Sequence, residues 1–251
     1  MGKSCSPKEK ELGYPRICAH RGVSNLAPEN TIPAFDLAVN AGAQEIEFDV
    51  YATKDGKLVV IHDYRIEYLS DGVGKIWEFT YDELLKFDFG YKFDEKYRGL
   101  KIATFEEVLA KYSKRVIMNI HVKIWDWGFE DDKMAEIISL VKKYDCQEYV
   151  YFATGRDEVI VKLKSLYPQF PCAILTDQER PYKDVERAIA VGAEKIQSYH
   201  FLFNEDMIKQ AKQNGIIINI FKCDDIETAK KYFETGIDCI LTDNFMELKI
   251  Q

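Results

Sequence analysis

The stretch "ICAHRGVSNLAPENTIPAF", residues 17–35, passes from a short apolar run into His20-Arg21-Gly22 and on through a Pro28-Glu29-Asn30 turn into a helical pattern. That order is strand, polar loop, helix, with an imidazole and a guanidinium where the chain leaves the strand. The unit recurs along the chain. Besides "RICAH" (16–20), strand candidates are "EIEFDV" (45–50), "RVIMNIHV" (115–122), "YVYFA" (149–153), "CAIL" (172–175), "KIQSY" (195–199), "IIINIF" (216–221) and "CILT" (239–242). Helical patterns lie between them, as in "TIPAFDLAVNAG" (31–42) and "IETAKKYFETG" (226–236), and Gly42, Gly192, Gly215 and Gly236 fall where helices should stop.

Strand signals in this number, with intervening helices, are what a closed (β/α)₈ TIM barrel requires; a doubly wound open sheet is the competing architecture. One run breaks the alternation. "KLVVIHD" (57–63) follows the second strand after only "YATKDG", too short for a parallel crossover, so it is expected to return antiparallel as a hairpin. Residues 64–103 show no clear strand and read as an insertion capping the same end of the barrel.

The chain has 251 residues, the length of one such barrel, and a formal net charge of −8. No basic stripe offsets that charge, which argues against nucleic acid as a partner and leaves a small anionic substrate open. The six cysteines show no metal-binding spacing, and several sit inside apolar runs, which fits a reducing, cytoplasmic setting. No apolar run is long enough for a transmembrane segment. Residues 1–13 read as a flexible polar tail, although Met1-Gly2 through Ser6 also matches an N-myristoylation pattern with Cys5 as a second acylation site.

Catalytic groups of such a barrel sit at the C-terminal ends of its strands. His20 and Arg21 end the first. Glu47 and Asp49 are two apart on the second, so strand periodicity puts both carboxylates on one face, and His121 and Lys123 share a face on the third. His62-Asp63 ends the hairpin. Taken singly, each has a bland reading as a hydrogen-bonded strand end, an edge-strand carboxylate or a surface lysine. Taken together they are chemistry, because inward carboxylates must be paired with cations or a metal.

The pattern "HRG…PENT…GAQEIEFDV…TKDGKLVVIHD", followed by "SDGVGK", "TYDELLKFDFG", "KIATFEEVL", "NIHVK" and "GIDCILTD", resembles the glycerophosphodiester phosphodiesterase family over nearly the whole chain. The resemblance implies a TIM barrel spanning 14–251, with an insertion at about 64–103, that hydrolyses glycerophosphodiesters with a divalent cation. It implies catalytic roles for His20 and His62, taken here as base and acid, since imidazoles serve both tasks near neutral pH. Glu47 and Asp49 match the metal ligands, suited to Mg²⁺ or Ca²⁺. Arg21 is expected to clamp the phosphate, Lys123 to add a point charge, and Glu29 to orient a neighbouring cation or histidine.

His121 departs from the family, which usually has a glutamate metal ligand there. A histidine ligand would tilt preference towards Mn²⁺ or Zn²⁺, or His121 could meet the phosphate instead. Ala103 replaces a frequent proline and should only loosen a turn. Trp125, Trp127 and Phe129 could hold a choline head group or simply pin the insertion to the barrel. Thr154, Gln197 and His200 end strands facing the same mouth. Alternative readings are a lysophospholipase D acting on lipids and a barrel that binds phosphodiesters without turnover.

Overall fold

The computed structural model describes residues 5–123, 131–177, 179–180 and 182–249. Eight parallel strands form the barrel: β1 (Arg16–His20), β2 (Glu45–Ala52), β4 (Ile117–Val122), β5 (Val150–Thr154), β6 (Cys172–Leu175), β7 (Lys195–Tyr199), β8 (Ile217–Phe221) and β9 (Cys239–Thr242). The sheet closes because β1 pairs with β2 on one side and β9 on the other, which excludes the open doubly wound alternative. β3 (Leu58–Val60) pairs antiparallel with β2, the expected hairpin.

The helices are α1 (Pro7–Leu12), α2 (Ile32–Asn40), α3 (Tyr81–Leu84), α4 (Phe105–Tyr112), α5 (Asp131–Lys143), α6 (Asp157–Leu166), α7 (Asp184–Val191), α8 (Glu205–Gln213), α9 (Ile226–Thr235) and α10 (Phe245–Leu248). Their apolar stripes meet the outer face of the strands in one continuous core that includes Phe35, Phe48, Val108, Met118, Ile160, Ile218 and Ile240. Gly192 and Gly236 take left-handed conformations as the C-caps of α7 and α9. The insertion is built of short turns and α3 around a core of its own, in which Ile61, Ile66, Ile76, Leu84 and Phe89 pack against Tyr51 and Val59 of the hairpin. That packing fixes it above β2, beside the barrel mouth.

Where a flexible tail is expected over residues 1–13, the described residues form a capped helix, Pro7–Leu12. Ser6 caps α1 with a reciprocal Glu9 capping box, and Glu9 is fully buried. Its carboxylate meets Arg16 at 2.8 Å and Lys195, both inside the N-terminal end of the barrel. Arg16 also reaches Glu45 at 2.9 Å, and Tyr151 donates to Glu45 at 2.6 Å. Two buried cations thus face two buried anions, and one anion comes from α1. Residues 1–4, which carry most of the acylation pattern, lie outside the described residues, as do Trp125, Trp127 and Phe129.

Candidate active site

The C-terminal end of β1 places His20 and then bends sharply. Arg21 adopts a left-handed backbone (φ 57°), a strained state for a side chain of its size. Gly22 follows because a Cβ there would lie 2.6 Å from the Ala34 carbonyl carbon of α2. The bend turns the Arg21 amide onto Glu47 (N–H to Oε2, 3.2 Å) and its guanidinium onto Glu29 (2.9 Å), with Nε 3.8 Å from Asp49.

Glu47 and Asp49 share the inner face of β2, and both are buried. Register sets Asp49 opposite His121 of β4, and His121 Nδ1 lies 2.9 Å from Asp49 Oδ1. Lys123, just past β4, sits 3.0 Å from the same oxygen and donates to the His62 carbonyl at 2.7 Å. His62 Nδ1 is 3.4 Å from Asp63. Glu47, Asp49 and His121 each offer a ligand atom within 4.8 Å of the others, and Glu29, His62 and Asp63 do the same. All eight residues singled out from the sequence, His20, Arg21, Glu29, Glu47, Asp49, His62, His121 and Lys123, therefore belong to one connected cluster.

Two further residues complete it. Asn30 donates to Asp49 Oδ2 at 2.9 Å and accepts from the Asp49 amide at 3.1 Å, clamping that carboxylate from the Pro-Glu-Asn turn. Asp243, just past β9, lies 2.7 Å from His20 Nδ1, receives the Ser24 hydroxyl at 3.2 Å, and pairs with Lys222. Both residues lie in quoted motifs, yet their roles went unread. Barrel closure was the available signal, since it seats the end of the last strand beside the end of the first. Of the other candidates, Gln197 accepts from Asn119 at 2.7 Å inside the barrel, Thr154 is buried, and His200 packs 6.0 Å from Tyr232.

Burial alone would lower the His20 pKa, but the Asp243 hydrogen bond and Glu47 outweigh it and hold it above the ordinary histidine value. Burial, with Lys123 and Arg21 nearby, lowers His62 against the pull of Asp49. The two imidazoles are thus shifted in opposite directions from the ordinary histidine value. Burial and the Asp49 charge push Glu47 well above the usual carboxylate range, while Lys123 and the neighbouring histidines overcome burial to hold Asp49 below it. A carboxylate whose charge is opposed in this way is suited to a cation, and an O,O,N donor set fits a divalent ion.

Residues 20–247 match the glycerophosphoryl diester phosphodiesterase family. The chain is 32% identical to the glycerophosphodiester phosphodiesterase of Caldanaerobacter subterraneus, covering 91% of this chain and 93% of that one, and 27% identical to a Bacillus subtilis enzyme of the same name, covering 96% and 88%. Among solved structures, an Oleispira antarctica phosphodiesterase in complex with the product sn-glycerol-3-phosphate superposes with a TM-score of 0.85 at 25% identity, covering 94% of this chain and 96% of that one. The Thermotoga maritima glycerophosphodiester phosphodiesterase superposes at 0.72 with 26% identity, covering 93% and 97%. The chain is a (β/α)₈ barrel hydrolase with its polar cluster at the mouth, and it belongs to the glycerophosphoryl diester phosphodiesterase family. Membership makes it an enzyme rather than a barrel that only binds, and implies a divalent metal, for which Glu47, Asp49 and His121 form a fitting group. No helix among the described residues is long and apolar enough to cross a membrane.

Proposed function

We propose that the chain hydrolyses small glycerophosphodiesters, glycerophosphocholine among them, to glycerol 3-phosphate and an alcohol, with a divalent cation held by Glu47, Asp49 and His121. The observation that supports this most directly is the gathering of two imidazoles, a guanidinium and an ammonium around a buried carboxylate pair at the barrel mouth. When bound, the cation neutralises charge developing on the phosphoryl group. The Glu47 and Asp49 oxygens suit Mg²⁺ or Ca²⁺, and the His121 imidazole draws preference towards Mn²⁺ or Zn²⁺.

Arg21 binds the phosphate by forked hydrogen bonds, its orientation set by Glu29, and Lys123 adds a compact charge. Phosphodiester cleavage needs one group to accept the proton of the attacking hydroxyl and another to supply one to the leaving oxygen. His20 and His62 divide those tasks. The Asp243 contact to Nδ1 leaves His20 Nε2 to face the reacting atoms. Attack by the glycerol 2-hydroxyl passes through a cyclic phosphate, direct attack by water does not, and trapping of that cyclic product separates the routes.

The test is glycerol 3-phosphate release from glycerophosphocholine after chelation and readdition of Mg²⁺, Ca²⁺ or Mn²⁺. Release restored by metal, and abolished by His20→Ala and Glu47→Ala, is the expected result; no release with any ion overturns the reading. A second reading, lysophospholipids as substrates, draws on the exposed apolar side chains Leu26, Tyr68 and Phe93. Lysophosphatidylcholine in the same assay decides it.

A further inference from the structure

A groove of about 240 Å³ runs from Glu29 along the insertion, walled by Tyr68, Leu69, Phe89 and Phe93 with Lys92 beside them. None of those five insertion residues takes part in the cluster at the mouth, yet they share the groove with Glu29, which does. At that inner end Glu29 gives Oε2 to Arg21, while its buried Oε1 has no hydrogen-bond partner among the described residues. Asp63, beside His62 at 3.4 Å, stands within 4.8 Å of Glu29 but outside the groove's lining. The groove thus joins aromatic walls to an inner end where one carboxylate oxygen is left without a partner among the described residues. Lys92, the only cation among its lining residues, is tied to the Glu67 carbonyl.

Three kinds of alcohol could extend from a phosphate held by Arg21. An acyl chain would leave Glu29 Oε1 buried against hydrocarbon, which is costly. An anionic alcohol would meet the Glu29 carboxylate. An ammonium alcohol satisfies both features, since ring faces attract a cation and the unpartnered Glu29 oxygen complements its charge. Phe93 is held in place: it packs edge-on against Tyr97 at 5.7 Å, and Tyr97 donates to the Leu26 carbonyl at 2.9 Å, bracing the insertion against the β1–α2 loop.

Resting on the hydrolytic reading above, we infer that this groove is the subsite for the leaving alcohol, selecting one that carries an ammonium group, with Tyr68 and Phe93 as the specificity-determining side chains. The experiment compares kcat/KM for three glycerophosphodiesters, with choline, its uncharged isostere 3,3-dimethylbutanol, or methanol as the alcohol. The metal-loaded wild type is set against Tyr68→Ala and Phe93→Ala. The wild type should favour choline over the isostere by about tenfold. Each variant should lose most of that preference while hydrolysing the methyl diester at the wild-type rate, because methanol is too short to reach the rings.

Equal wild-type rates on choline and its isostere would overturn the inference, as would variants that slow the methyl diester as much as the choline one. Variants that slow only the isostere would assign the groove to apolar chains and overturn it too. Should no diester turn over, the hydrolytic reading fails separately. Calorimetric binding of choline against 3,3-dimethylbutanol then still reads the groove, and indifference between them refutes it. The same binding comparison on the wild type serves if either alanine variant fails to fold.

Discussion

Asp243 reaches His20 because the barrel closes: β9 lies beside β1, so a carboxylate just past one strand sits 2.7 Å from the imidazole ending the other. Its negative charge holds the His20 pKa up, against burial. Asp243→Asn removes that charge, so the His20 pKa falls, and whichever limb of the pH–kcat/KM profile reports His20 moves to lower pH. If the acidic limb moves, His20 is the base; if the alkaline limb moves, it is the acid. The accompanying loss should be about 10–100-fold, from an imidazole less well oriented. A profile that drops without shifting would show that Asp243 does not act through His20. His121→Glu tests the departure from the family at that position. It restores a third hard oxygen beside Asp49, so calorimetry should show Ca²⁺ and Mg²⁺ binding gain on Mn²⁺ and Zn²⁺, by about tenfold or more. Unchanged selectivity would mean that His121 is not a ligand.

At the scale of elements, most of this molecule was legible because strands and helices bury apolar faces with characteristic periods. "EIEFDV" announced both a core strand and its two inward carboxylates, and the short link "YATKDG" forced the antiparallel β3. α1 was not legible. "SPKEKEL" is polar and short, and nothing local says that its one buried carboxylate answers Arg16 and Lys195, the latter 186 residues away. Long-range charge pairing leaves no periodic signature. Glu9→Gln therefore tests α1 directly. It leaves Arg16 and Lys195 facing Glu45 alone, and should cost about 3–5 kcal/mol in urea denaturation. The pH dependence has a definite sign. Burial would raise the Glu9 pKa, but Lys195 and Arg16 reverse this and bring it down from 4.5 to about 2. A depressed carboxylate stabilises the fold above its unfolded pKa and loses that contribution as pH falls through the folded one. Wild-type stability should therefore decline between pH 4.5 and about 2 more steeply than that of Glu9→Gln. Parallel curves would remove Glu9 from the account.

Over the whole molecule, the barrel serves to gather cationic side chains from separate strands around two carboxylates of one strand. Glu47 and Asp49 come from β2, His121 from β4, His20 from the end of β1 and Arg21 from the bend after it, and their mutual approach depends on register across the closed sheet. The cost falls on Glu47, pushed above the usual carboxylate range by burial and by Asp49. A divalent cation bound there relieves this strain only in the folded state, since the unfolded chain does not assemble the ligands, so metal and folding are linked. At a metal concentration a hundred times its Kd, the linkage is worth about 2.7 kcal/mol. For a chain of this size that corresponds to a rise in Tm of roughly 5–10 °C. Calorimetric scans of the chelated protein, then with Mg²⁺, Ca²⁺ or Mn²⁺ added, should show that rise for the preferred ion. Glu47→Gln should raise the Tm of the metal-free protein slightly, because it removes a disfavoured charge, and abolish the response to metal. A response that survives Glu47→Gln would locate the cation elsewhere, with Glu29, His62 and Asp63 the next group to test.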